Sequence, residues 1–175
     1  IGPKIFGYEP SAEEHNIAYD PEGAKAILDE HPGWADEKIT FLVPSTPVYS
    51  KMGEYFQSSL TNAGFNNVNI ETLDWSAWIT ESQVDNRFDI TLAAWSNVTR
   101  DGTELMEPNF HSVNGSRRVR LSAEDWALVD GYIDASKTTS DTAVRTENLL
   151  NCNAVLQDEA YIQPIYNSTN LFCYS

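Results

Sequence analysis

Residues 39–73 read ITFLVPSTPVYSKMGEYFQSSLTNAGFNNVNIETL. Ile39-Thr40-Phe41-Leu42-Val43 is a short apolar run stopped by Pro44, the pattern of a strand buried on both faces. After Ser45-Thr46-Pro47, the residues Val48, Met52, Tyr55, Phe56 and Leu60 recur at helical spacing. Ala63-Gly64 closes that helix, glycine being the residue that accepts a left-handed helix end. Val68-Asn69-Ile70-Glu71-Thr72-Leu73 then alternates with period two, as a second strand does. Strand, helix, strand in this order is a crossover unit, and it predicts an α/β fold.

The flanks extend the pattern. Upstream, residues 1–19 are an irregular opening segment. Asp20-Pro21-Glu22 begins a helix, with Asp as N-cap and Pro at the first helical position. Ala24, Ile27, Leu28 and His31 follow its apolar face, and Pro32-Gly33 ends it. Downstream, Asp74 caps a helix carrying Trp75, Trp78 and Ile79. Residues 87–95 predict a third strand, apolar enough to be central. Residues 96–121 have little period and predict a long surface loop. Ser122-Ala123-Glu124-Asp125 resembles a capping box before Trp126, Val129, Tyr132 and Ile133. Asp141 starts a further helix bearing Val144, Leu149 and Val155, and residues 160–166 predict a last strand, placed at an edge by Pro164. The expected architecture is one domain over residues 1–175, a mixed β-sheet flanked by helices.

With 175 residues, the chain is long enough to bury one real core. Lys and Arg total 11 against 26 Asp and Glu, a net charge of −15. Such a surface repels nucleic acid and anionic membranes, so neither is an expected partner. No apolar run reaches the roughly 20 residues that span a bilayer. The sequence opens on Ile1-Gly2-Pro3-Lys4 rather than Met, which suggests a piece of a longer protein. Cys152 and Cys173 either form one disulfide or sit apart as buried thiols.

Catalytic motifs are missing. His15, His31 and His111 have no second ligand at helical spacing, so no metal site is expected. No nucleophile elbow, phosphate loop or dinucleotide fingerprint occurs, and no cofactor is expected. Asp74 and Asp101 are the one carboxylate pair that would merit a test for glycoside hydrolysis. His31 suits a helix C-terminus, and His111 reads as a hydrogen-bonded structural group. Arg117, Arg118 and Arg120 form a basic cluster, expected to pair with the acidic surface around it. Trp95 ends one predicted strand and opens a polar loop, and Trp75 follows another. Ligands of α/β sheets gather at the carboxyl ends of strands, so two aromatics there form either a ligand wall or simple packing.

Several stretches together resemble the extracellular solute-binding proteins of the peptide/nickel transporter family, family 5. Tyr19-Asp20-Pro21-Glu22-Gly23-Ala24-Lys25-Ala26-Ile27-Leu28 is similar to the family's "YDPEKAKKLL" helix. Val68-Asn69-Ile70-Glu71-Thr72-Leu73-Asp74-Trp75 is similar to "VEIETLDW". Phe88-Asp89-Ile90-Thr91-Leu92-Ala93-Ala94-Trp95 is similar to "FDMALGGW", and residues 158–166 are similar to "EAPIIPLYY". The likeness runs from residue 19 to about 170.

The resemblance implies a periplasmic-binding-protein-like lobe, the second of two that close on a ligand. It implies a longer parent receptor of an ABC importer, outside the cytoplasm, in the periplasm or as a lipid-anchored surface protein. Its partners would be a peptide or other small solute, the other lobe of the same chain and a membrane permease. It implies a binding function rather than an enzyme. Carried over by position, the ligand-binding residues are Trp75, Trp95, Asn97, Arg100 and Asp101. Val98 stands where many peptide binders have the Asp that pairs with the peptide amino group. Asn97-Val98-Thr99-Arg100-Asp101 is similar to a "VTGD" variant of the loop, with Arg100 in place of Gly. Asp101 then supplies the negative charge, or Arg100 neutralises it or meets a carboxylate itself. A nickel chelate or an oligosaccharide is the alternative ligand.

Overall fold

In a computed structural model that describes residues 1–85, 87–116 and 118–168, three parallel strands lie in the order β2-β1-β3. They are β1 (Ile39–Pro44), β2 (Val68–Leu73) and β3 (Ile90–Thr91). β1 is the central strand: it pairs in register from Ile39↔Val68 to Pro44↔Leu73 on one side and through Phe41↔Ile90 and Leu42↔Thr91 on the other. Its apolar run is what lets it sit there, because both faces of a central parallel strand are covered. The helices are α1 (Pro21–Glu30), α2 (Pro47–Ala63), α3 (Trp75–Thr80), α4 (Thr103–Phe110), α5 (Ala123–Thr138) and α6 (Thr142–Asp158). This is the expected α/β class, a sheet flanked by helices.

The chain divides into two compact units. A sheet unit holds Ala18–Trp95, and a helical unit holds Ile1–Ile17 with the chain from Ser96 onward. In the sheet unit, Phe41, Val43 and Leu92 are buried, with Met52 and Phe56 of α2 packed on them. Each such side chain contributes about 1.5–3 kcal/mol by leaving water. Gly53 brings α2 close to the sheet, since a Cβ there would lie 3.2 Å from Val43 Cγ1. Val48 and Tyr55, expected on the apolar face of α2, are instead exposed. In the helical unit, Met106, Leu121, Val129, Ile133, Leu149, Cys152 and Leu156 form the core.

The local start and stop signals hold. Asp20 accepts from the Gly23 N–H, Asp74 from Ser76 and Ala77, Ser122 from Asp125, and Asp141 from Ala143 and Val144. Gly64 ends α2 with φ 119°. Four expectations need correction. The opening segment contains a 3-10 turn at Pro10–His15. β3 is two residues long and flanks β1 rather than lying central. The expected loop over 96–121 contains α4, whose Pro108 and weak apolar period mask it in sequence. Residues 160–166 form no strand: Ala160 turns the chain at φ 55° and Pro164 has no N–H to give a ladder. Arg117 and Cys173 lie outside the described residues, so the disulfide and part of the arginine cluster do too. Cys152 is buried, and burial raises its thiol pKa to about 12.

Candidate functional site

Within the sheet unit, the candidate site begins where the parallel strands end. β2 stops at Leu73, and Asp74 turns the chain into α3 by accepting from the Ser76 and Ala77 N–H groups at 3.0 and 3.1 Å. That cap puts Trp75 in the first turn, just past the carboxyl end of the sheet. Trp75 is 51% exposed. It stacks on Trp78, ring centroids 4.9 Å apart and planes 29° from parallel. Trp78 is 1% exposed. Its Nε1–H donates to Thr91 Oγ1 at 3.0 Å, and that hydroxyl donates to the Leu42 carbonyl at 2.8 Å. A surface indole therefore rests on a buried one that is hydrogen-bonded to the sheet. Trp95 follows β3 by four residues and is 46% exposed.

Asn97, Arg100 and Asp101 belong to the helical unit. Asn97 organises its own loop: Oδ1 accepts from the Arg100 N–H at 2.7 Å, and Nδ2 donates to the Asp101 carbonyl at 2.6 Å. Arg100 sits at φ 59° with its side chain exposed. Its carbonyl accepts from the Phe6 N–H at 2.8 Å, while the Gly102 N–H donates to the Phe6 carbonyl at 2.9 Å. The opening segment is thus pinned to the loop.

Asp101 is paired. Its Oδ2 accepts from Arg145 Nη2 at 2.7 Å, and its Oδ1 accepts from the Thr103 N–H at 2.9 Å. Burial alone would raise the carboxyl, but the bonds from Arg145 and Thr103 outweigh it and hold the group below its ordinary value. Arg145 also donates to the Ser136 carbonyl at 2.9 Å and lies over the Phe6 ring, 4.5 Å from the centroid. The structure thus gives Arg145, not Arg100, as the partner that neutralises Asp101. The pair is 44 residues apart in sequence, and no local pattern reveals it. Trp78 and Thr91 were also missed as site elements. The i, i+3 spacing of Trp75 and Trp78 was the available signal, because such residues share a helix face.

The other candidates make the following contacts. Asp74 and Asp101 are each committed to hydrogen bonds within their own unit. His31 stacks on Trp34 at 4.0 Å. His111 is buried, and its Nδ1 accepts from the Val113 and Asn114 N–H groups. Among the described residues, no group of three or more His, Cys, Asp or Glu side chains is placed to hold a metal ion, and no helix is long and apolar enough to cross a membrane.

The fold recurs in solved structures. DppA from Helicobacter pylori in complex with the peptide STSA matches with a TM-score of 0.73 at 21% identity, over 93% of this chain and 31% of that one. MoaA from A. tumefaciens R10 in complex with mannopinic acid matches at 0.72 and 17% identity, over 92% and 32%. MelB from Agrobacterium fabrum C58 in complex with stachyose matches at 0.67 and 16% identity, over 89% and 27%. The chain thus spans about a third of the length of these proteins, and at these identities the likeness is one of fold. No curated protein matches the chain. Residues 1–117 match the model for bacterial extracellular solute-binding proteins, family 5 Middle, and the chain belongs to that family.

Proposed function

We propose that this chain is one lobe, the second of two, of an extracytoplasmic receptor that delivers oligopeptides or dipeptides to the permease of an ABC importer. The observation that carries this reading is the pair of half-exposed tryptophans, Trp75 and Trp95, placed after the carboxyl ends of β2 and β3. Ligands of parallel α/β sheets bind beyond those strand ends. In a closed receptor the indoles form a wall for the solute, while backbone groups and trapped water meet the polar parts of a peptide without reading its sequence. Contacts to both lobes favour the closed form, which the permease then receives. The parent protein is held outside the cytoplasm, lipid-anchored or periplasmic. The proposed role is binding, with no bond-breaking step assigned to Asp74 or Asp101; Asp101 is paired with Arg145 and Asp74 caps α3.

A second reading has a specific observation behind it. Asp101, the expected partner for a peptide amino group, is already neutralised by Arg145. A half-exposed indole backed by a second ring is also a stacking surface for a sugar. An oligosaccharide or another neutral solute then replaces the peptide, on the same walls. Under either reading Asn97 and Asp101 shape the loop and Arg100 is its exposed charge.

Calorimetric titration of the full-length parent with trialanine and with maltotriose separates the two. Heat with trialanine alone, weakened at least tenfold in Trp75→Ala or Trp95→Ala, supports the peptide receptor. Heat with maltotriose alone transfers the site to a sugar. Tight binding that neither substitution affects removes both indoles from the site.

A further inference from the structure

We infer that Thr91 is a positioning residue for Trp75, setting the plane of the exposed indole through the buried one. This rests on the reading of Trp75 as a ligand wall. The hydroxyl of Thr91 has a single proton, and it is spent on the Leu42 carbonyl of the central strand at 2.8 Å. Its lone pair is thereby aimed away from β1, and Trp78 Nε1–H meets it at 3.0 Å. Leu42 and Thr91 are register partners, so the hydroxyl is fixed by the ladder itself. The outer torsion of an indole is broad. The directed N–H bond adds to packing in favouring the observed ring setting. Trp75 then takes its plane from the ring it stacks on, at 29° and 4.9 Å. Carbonyl of β1, hydroxyl of β3, buried indole and exposed indole form one relay from the rigid centre of the sheet to the solvent.

Two closely stacked indoles give an exciton couplet in circular dichroism, and its size and sign follow the angle between the rings. The component due to this pair is identified as the part removed by Trp75→Leu. In Thr91→Val, which keeps the shape and drops the hydroxyl, that component falls by at least half while the helical signal stays. Thr91→Ser restores it. With whichever of trialanine or maltotriose the parent binds, Thr91→Val weakens affinity about two- to tenfold, the scale of one hydrogen bond. A folded Thr91→Val protein with an unchanged couplet overturns the inference, whatever its melting temperature. A lost couplet with unchanged affinity leaves the relay standing and overturns Trp75 as a ligand wall.

Discussion

At the scale of single residues, Asp101 shows how a side chain of the expected type takes a different role. The loop pattern marks it as an acid beside the ligand, yet its charge is met by a guanidinium from α6. Asp101→Asn is expected to cost about 1–3 kcal/mol at neutral pH, the range for a hydrogen bond to a charged group. The sign of its pH dependence follows from the direction of the shift. The carboxyl is held lower in the folded chain than in the unfolded one, so its stabilising effect is complete above the ordinary carboxylate range. It is lost as pH falls through the folded value. Urea unfolding of the two proteins at neutral pH and in acid therefore gives a gap that closes in acid. A gap that persists unchanged would place the stabilisation in something other than the Asp101 charge. Such partners are not legible in sequence, because chain folding alone brings Arg145 to Asp101. Trp75 and Trp95 are legible as candidates, since one follows and the other ends a recognisable strand pattern.

At the scale of elements, the termini were the most legible part of the fold. Caps are local: Asp20, Asp74, Ser122 and Asp141 each bond to an N–H two or three residues on, and residue type with spacing suffices to place them. Asp141→Ala should destabilise α6 and the helical unit by about 1 kcal/mol, read as a shift of the urea midpoint. Gly64→Ala should cost about 1–2 kcal/mol. Its φ of 119° excludes a side chain sterically, and the new Cβ would lie 2.9 Å from Leu28 Cδ2. An unshifted midpoint in Gly64→Ala would mean that α2 ends in another way. Strand lengths were less legible. Residues 87–95 are apolar enough for a long central strand, but pairing with β1 extends only over Ile90–Thr91. Of this stretch only Leu92 is buried, while Ala93, Ala94 and Trp95 are exposed, so apolar composition here marks neither a ladder nor a covered strand. Residues 103–110 illustrate the opposite error, a helix whose apolar period is too weak to be seen but which buries Met106 and Thr103.

At the scale of the whole molecule, acidity and lobe identity carry different weights. The net charge of −15 argues against polyanionic partners but says nothing about the fold. The fold follows from the β1-α2-β2 crossover together with the caps, and the family from the ordered set of matching stretches. Ligand class was the least legible property, because it depends on charges paired across long sequence distances and, on the proposed reading, on a second lobe. On the proposed two-lobe reading the 175-residue chain holds half of an enclosed site, and it is expected to bind trialanine at least a hundredfold more weakly than its full-length parent, by calorimetry. Equal affinity would show that this lobe holds the complete site. The central claim is tested most directly by purifying the full-length parent under native conditions, denaturing it, and identifying the released small molecules by mass spectrometry. A ladder of short peptides of mixed sequence is expected. A single sugar would contradict the peptide assignment, and the absence of any retained or acquired solute would contradict the receptor itself.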